Sequence, residues 1–465
     1  MTISRGHNIE RLKRESFDVL ILGGGINGAG IARDLALRAF DNHVPLRIAL
    51  IEKNHFSSGT SGKNSQLIHG GLRYLKNLEF GLVRESLRER ATLLKIAPHL
   101  VKPQPFLIPA YGRWSRWYFG AGLSLYDLLA GKRNIARHRV LTRGDVETLE
   151  PMLARDRLHG GLLFYDCQVN SARLVLENIF DAARLGAVVA NYVEAAGIGA
   201  KQVKAVDHLS GETFEIRARE IVDATGAWSS GTPLRLVRGS HIVIPRVNHG
   251  DEAIAYFDDS GRVVFLIPWG VERQLTLVGT TDVDHAGGPD RVHISRDEID
   301  YLTGTVRRLF PQASMEEPIS TFSSLRPLLK DNKASPTKTS REHRIRQSPD
   351  GVIHISGGKY TTYRSMSEEA VDAICRDIAP SLAGKCSTAE TPLVERSGAD
   401  PVTFAVTHEM AQHLPDVLQV STYWGYERVW TRDGLQAIAL RMGNLLNWTE
   451  ERIQQEIMNA CHQTL

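Results

Sequence analysis

The chain has few cysteines, and none is placed to act with another. Cys167, Cys375, Cys386 and Cys461 lie far apart and form no Cys-x-x-Cys pair, which argues against a disulfide framework or a zinc site and fits a reducing compartment. Charge of one sign is lacking too: 56 basic against 53 acidic residues leave a net charge of +3, too little to make nucleic acid a partner. No run of about 18 apolar residues is available to span a bilayer. The polar first sixteen residues have no apolar core followed by a small-residue cleavage site, so no secretory signal is expected. A soluble or surface-bound cytoplasmic protein follows as the expectation. Repeats and low-complexity tracts are also absent. What is present is a chain of 465 residues, 42% hydrophobic, longer than one core usually supports, so two or three subdomains are expected.

The most informative stretch is 17–30, an apolar strand that breaks into Gly23-x-Gly25-x-x-Gly28 and continues as a helix over 26–40. A dinucleotide needs this arrangement: Gly23 for the tight turn, Gly25 so that backbone can approach a pyrophosphate, Gly28 for close packing of helix on strand. The helix N-terminus then offers unpaired N–H groups to an anion. A second apolar strand over 47–52 ends in Glu52, the acid expected on a ribose hydroxyl. The polar loop 57–65 follows, placed beyond the carboxyl end of that strand, where ligands of nucleotide folds sit.

An amphipathic helix is expected over 80–97, ended by Pro98, Pro103 and Pro105. Residues 113–139 interleave Arg113, Arg116, Lys132, Arg133, Arg137 and Arg139 with Trp114, Trp117, Tyr118 and Phe119. That composition fits either an interfacial membrane element, with rings at headgroup depth and cations on anionic lipid, or a buried aromatic helix beside a solvated basic loop. Ser171 reads as the N-cap of a helix to Arg184, followed by a strand over 187–193. The strand 220–225 ends at Thr225-Gly226, either a close approach to a ligand or a plain turn. Strands over 240–247, 262–269 and 274–281 predict a mainly antiparallel second domain inserted in the nucleotide fold. A helix over 296–309, a segment 322–327, a charged stretch 330–346, and a strand 351–356 into Gly357-Gly358-Lys359 with a helix over 364–376 complete the pattern. From about residue 387 a separate helical region with Trp424, Trp430 and Trp448 is expected.

In this order the sequence closely resembles the flavin-dependent, quinone-linked sn-glycerol-3-phosphate dehydrogenases. The resemblance covers roughly the first 375 residues, through 23–31, 67–75, Ala97-Pro98-His99-Leu100, Gly239-Ser240-His241-Ile242-Val243, Gly279-Thr280-Thr281-Asp282, Arg326-Pro327-Leu328 and 357–364. It implies an α/β fold of the glutathione-reductase and D-amino-acid-oxidase kind that holds FAD noncovalently. The FAD-binding domain would comprise 1–95, 140–235 and 327–386, the substrate and membrane-facing domain 96–139 and 236–326, and the C-terminal helical region 387–465. Cofactor contacts are implied at Gly23, Gly25, Ile26, Asn27 and Gly28, at Glu52 and Lys53, and at Thr60, Ser61, Ser65, Leu67, His69, Gly70 and Gly71. Further contacts are implied at Thr225, Gly226, Gly358, Lys359 and Thr361. The resemblance further implies a peripheral protein on the inner face of the cell membrane, with glycerol 3-phosphate as substrate, a membrane quinone as acceptor, docking through 113–139, and a homodimer as a possible assembly.

Oxidising a secondary alcohol to a ketone removes a proton from oxygen and a hydride from carbon, so positioning cations and a proton acceptor are required. The resemblance places His241 near the substrate, which makes it the first choice for the acceptor, a role that suits a group titrating near neutrality; His69 is the second. A phosphate dianion favours guanidinium groups, and the resemblance places Arg73, Tyr74 and Arg326 along the substrate pocket, with Thr281 as a further hydroxyl contact. Lys359 is expected to stabilise negative charge developing on the alcohol or the flavin. Two departures from the family stand out. Gln66 replaces its usual Lys beside an altered Gly62-Lys63-Asn64, and the C-terminal region is short, with weak resemblance apart from 448–453. They leave open a dehydrogenase or oxidase of another small phosphorylated or carboxylated alcohol, or a flavin-binding subunit without activity.

Overall fold

The computed structural model describes residues 4–258, 260–314, 317–330 and 342–463; the side chains of Arg73, Lys76, Asn77, His462 and Gln463 lie outside the description. The strand Ser16–Leu22 and the helix Ile26–Asp41 form where the apolar run and the glycine turn predict them. In the first sheet, Ser16–Leu22 lies between Thr213–Asp223 and Ile48–Ile51, parallel to both. Val188–Ala190 and Ile353–Gly357 extend the parallel core outward, and His343–Gln347 closes one edge antiparallel. Ile48–Ile51, Val188–Ala190 and the second half of Ser16–Leu22 are continuous buried apolar runs, because a parallel sheet is covered on both faces. Ala29, Ile31, Ala32 and Leu35 of the helix are fully buried on it.

The second sheet is mainly antiparallel and has ten strands. Near one edge of it Leu234–Pro245 lies between Leu275–Gly279 and the edge strand Ser320–Leu329. The chain enters this sheet first at Leu67–Ile68, which pairs antiparallel with Gly161–Val169 although it lies within 1–95, assigned above to the nucleotide-binding part. Val101–Pro109 forms a strand against Gly161–Val169, so Gly161–Val169, assigned above to the nucleotide-binding part, belongs to the second sheet. Pro103 and Pro105 are tolerated there because the opposite edge pairs only at Phe106 and Leu107, so their missing N–H groups cost no ladder bond. The helix after residue 170 is capped by Asn170, which accepts from Arg173 N–H, rather than by Ser171.

Ser115–Ala130 is a helix with two characters. Leu123, Tyr126 and Ala130 are buried, whereas Trp114 and Trp117 are each 71% exposed and Tyr118 and Leu128 are exposed beside them. One face is thus buried and the other carries exposed aromatic rings. The C-terminal region is helical but not separate. Val420, Tyr423 and Tyr426 belong to the same core as the dinucleotide helix, and Arg33 of that helix donates to Thr391 O.

Helices Phe80–Ile96 and Tyr363–Ile378 are joined by a bidentate pair, Arg364 to both oxygens of Glu89 at 2.7 and 2.9 Å, with the Glu89 side chain fully buried. Removing Glu89 leaves the buried guanidinium with only the partly exposed Glu368 carboxylate at 2.9 Å as an ion-pair partner, so part of its desolvation cost is no longer offset. Glu89→Ala is therefore expected to lower stability by about 3–5 kcal/mol, measured by chemical denaturation; an unchanged midpoint would show that Arg364 reaches water.

Candidate active site

One face of the second sheet builds the reactive end of a cavity of about 550 Å³ that runs between the two sheets. Side chains alternate along a strand, so Gly239 and His241 share that face while Ser240 points behind it. Across the ladder His241 stands opposite Gly279 on one side and Phe322 on the other. The size match is strict: a Cβ on Gly279 would lie 2.1 Å from the His241 ring, and one on Gly239 would lie 2.4 Å from the Arg326 guanidinium. Phe322, Ser324 and Arg326 alternate onto the same face. The His241 ring stacks on Phe322 at 5.0 Å and 16°, and its Nε2 is 2.8 Å from Ser65 Oγ. Its Nδ1 is buried without a hydrogen-bond partner. Burial and the nearby Arg326 charge lower its pKa to about 3; it is a neutral imidazole, well below the near-neutral value expected from its residue type.

Arg326 donates to Thr281 O at 3.0 Å, Asp282 Oδ1 at 2.7 Å and Thr280 Oγ1 at 2.7 Å, and lines the cavity. Thr281 does not line it. Its hydroxyl donates to Glu298 at 2.6 Å and accepts from Ser240 N–H, because position 281 alternates to the back of the sheet, and Thr280 takes the cavity side. Tyr74 lines the cavity below the Lys359 amine, which lies 4.4 Å from its ring centre. That amine donates to Leu82 O and Ser86 Oγ, so Lys359 is held on the helix Phe80–Ile96. Arg73 is the one expected substrate contact whose side chain lies outside the described residues.

At the other end, Gly25 caps the helix Ile26–Asp41 and has no side chain to occupy its first turn; Ile26 N–H donates to Ser61 Oγ at 2.9 Å. Gly23, Ile26 and Asn27 line the cavity. Gly28 lies behind them, where an added Cβ would meet Gly23 O at 2.0 Å, so its part is packing. Glu52 accepts from Gly24 N–H at 2.7 Å and Asn54 N–H at 2.9 Å, and burial raises its pKa. Lys53 pairs with Asp290 at 2.6 Å and lies over the Trp228 ring. Between the two ends, Thr60 donates to Leu325 O and Ser324 to Lys63 O, each at 2.6 Å; these bonds tie the polar loop to the second sheet.

Ser65, Leu67, His69, Gly71, Thr225, Gly226, Gly358 and Thr361 all line the same cavity, with Thr361 Oγ1 bonded to the His69 backbone. Gly70 does not line it. Its N–H donates to Tyr126 OH and Asp166, inside a buried cluster with Arg90. Sequence reasoning missed the apolar wall of Phe106, Phe164, Phe257 and Phe265, and it missed Asp166, Trp228 and Thr280 as lining residues. The available signal was alternation in strands whose partners were not known.

A model of FAD dependent oxidoreductases matches residues 18–371. Glycerol-3-phosphate dehydrogenase 2 of Mycobacterium tuberculosis is 37% identical over 400 residues, covering 81% of this chain and 67% of that protein. Glycerol-3-phosphate dehydrogenase of Synechocystis is 38% identical over 422 residues, covering 83% and 74%. The chain belongs to the glycerol-3-phosphate dehydrogenase family. Its fold is also that of the Bacillus halodurans glycerol-3-phosphate dehydrogenase structure with FAD, at a TM-score of 0.78 and 24% identity over 99% of this chain and 97% of that one. As a member of this family the chain is an FAD-dependent oxidoreductase. The cavity fits the group: it continues from the uncapped helix start at Gly25 to the sheet face at His241, and small residues occupy the positions where a side chain would fill the turn.

The His241 environment sets a pH dependence. Folding favours the neutral ring, so this stabilisation is fully present above the ordinary pKa of 6.5 and is lost as pH falls from 6.5 toward about 3. His241→Asn is expected to make the acid limb of stability shallower by up to about 1.4 kcal/mol per pH unit, measured by denaturation at stepped pH. An unchanged limb would mean that the imidazole is solvated.

Proposed function

We propose that the chain oxidises glycerol 3-phosphate to dihydroxyacetone phosphate and passes the electrons to a membrane quinone. The observation that carries the reading is the grouping of His241, Arg326 and Thr280 on one sheet face of a cavity that extends to the dinucleotide turn. The names of the relatives support the substrate.

Gly23, Gly25, Ile26, Asn27 and Ser61 would hold the pyrophosphate of FAD and Glu52 its ribose, with Lys53 beside it; the glycines at 226 and 358 would admit the flavin closely. Bound FAD supplies the acceptor for the hydride that leaves the alcohol carbon. Arg326, pre-oriented by Asp282 and Thr280, binds the substrate phosphate through guanidinium donors. Tyr74, Arg73 and Thr280 complete the contacts. His241, neutral and with Ser65 as its hydrogen-bond partner, takes the hydroxyl proton. Burial is the larger cause of the low imidazole basicity and Arg326 the smaller; a phosphate dianion beside Arg326 offsets the smaller part. Lys359 contributes positive charge from a fixed position above Tyr74.

Among the described residues no helix is long and apolar enough to cross a membrane. The exposed face of Ser115–Ala130, with its flanking arginines, supports peripheral docking. Its buried face reaches the cavity wall, since Tyr126 lies against Phe164 and Phe119 lies 4.8 Å from Phe257. An apolar wall that reaches a docking helix suits an apolar electron acceptor better than a second polyol.

Anaerobic addition of millimolar glycerol 3-phosphate to the FAD-loaded protein is expected to bleach the visible flavin band. No bleaching, with a different hydroxy-phosphate effective, overturns the substrate. Arg326→Ala should lower kcat/KM by an amount equivalent to about 2–4 kcal/mol; unchanged kinetics would remove Arg326 from the phosphate site. Replacing Trp114 and Trp117 together by Ser should leave flavin reduction intact and lower co-sedimentation with anionic liposomes, whereas unchanged co-sedimentation would place docking elsewhere.

A further inference from the structure

His241 is held in place by two supports, and both lead to the same short segment of the C-terminal region. The first is Ser65 Oγ, 2.8 Å from Nε2. Ser65 sits in the polar loop, whose end is fixed by the Tyr423 hydroxyl, 3.2 Å from Gln66 Oε1 and 3.3 Å from Gly62 O. The same hydroxyl accepts from Ala172 N–H at 2.9 Å, which pins the loop to the start of the helix Ser171–Arg184. The second support is Phe322, stacked on the imidazole. Behind Phe322 lies Tyr426, with ring centres 5.0 Å apart, then Tyr423 at 5.9 Å and Trp269 at 5.9 Å from Tyr423. Ser320 Oγ donates to Tyr426 O at 2.6 Å, which locks the strand Ser320–Leu329 to this segment. Phe322, Tyr423 and Tyr426 are all buried.

We propose that Tyr423 and Tyr426 are positioning residues for His241, one through the Ser65 loop and the other through Phe322. The inference rests on the reading of His241 as the proton acceptor. Both tyrosines lie beyond the residues matched by the family model, 18–371. They also explain Gln66: its side-chain oxygen accepts from Ser171 N–H and faces the Tyr423 hydroxyl, so the departure from Lys serves this clamp. Tyr423 keeps a positive φ of 63°, a conformation costly for a non-glycine residue that persists where the surroundings over-determine it. The Tyr426 hydroxyl has no hydrogen-bond partner, so the contribution of this residue is its ring.

A base must lie within hydrogen-bond reach of the proton it takes, and a misplacement of about 1 Å costs on the order of 10²-fold in rate. The test is single-turnover anaerobic reduction of the FAD-loaded full chain by glycerol 3-phosphate, in water and in deuterium oxide, with flavin content measured for each variant. Tyr426→Leu is expected to slow reduction by about 10- to 100-fold and to raise the solvent isotope effect, because proton transfer becomes limiting, while Tyr426→Phe restores rate and isotope effect. Tyr423→Phe, which deletes one hydroxyl and keeps every ring contact, is expected to move both in the same direction and guards against a Leu variant that fails to fold. Wild-type rate and isotope effect in flavin-replete Tyr423→Phe and Tyr426→Leu overturn the proposal; so does a slowed rate with an unchanged isotope effect, which marks a loosened core. His241→Gln separates the two readings. If it reduces as fast as wild type, the acceptor assignment itself fails, whereas a slow His241→Gln beside normal tyrosine variants removes only the clamp.

Discussion

The site depends on a complementarity of sizes across three adjacent strands. His241 has room only because Gly279 stands opposite it, and Arg326 lies flat only because Gly239 is two residues before His241. Strand alternation then decides the rest: whatever shares parity with His241 faces the cavity, and whatever does not faces Glu298 behind the sheet. A slip of one residue would exchange His241 for Ser240 and Arg326 for Leu325. The buried polar row behind the sheet opposes such a slip, since Ser240, Thr281 and Arg238 all find their partner in Glu298 and a slip would leave these groups unsatisfied.

The two sheets supply different halves of one site. The parallel sheet ends in backbone: a glycine turn, an open helix start, and strand ends at Glu52 and Thr225. The antiparallel sheet ends in side chains that carry charge and proton affinity. The polar loop 57–66 bridges them through Thr60, Lys63 and Ser65, and the C-terminal region holds that loop from outside. Burial, and after it the Arg326 charge, keep the imidazole of His241 neutral.

Much of this was legible in the sequence. The glycine turn, the helix Ile26–Asp41 and the helix Arg296–Leu309, with its Ser295 cap, follow from short-range rules of spacing and capping. His241 and Arg326 were found as members of quoted motifs, and they do meet in space. What failed was longer-ranged. The sequence points to Thr281, whereas Thr280 lines the cavity, because parity across a strand end depends on pairing. Val101–Pro109 was hidden by its prolines, which only an unpaired edge permits. Ser171 was taken as the cap one residue late. The aromatic wall and the contacts of Tyr423 with Gly62, Gln66 and Ala172 join residues tens to hundreds of positions apart, which no local pattern encodes.

The central claim is that this cavity brings the secondary carbon of glycerol 3-phosphate to bound flavin beside His241 and Arg326. Single-turnover flavin reduction at saturating substrate, compared for glycerol 3-phosphate carrying hydrogen or deuterium at C2, tests it directly. The account predicts slower reduction with deuterium at C2 and unchanged substrate binding. Equal rates for the two, with dihydroxyacetone phosphate absent from the products, would contradict it.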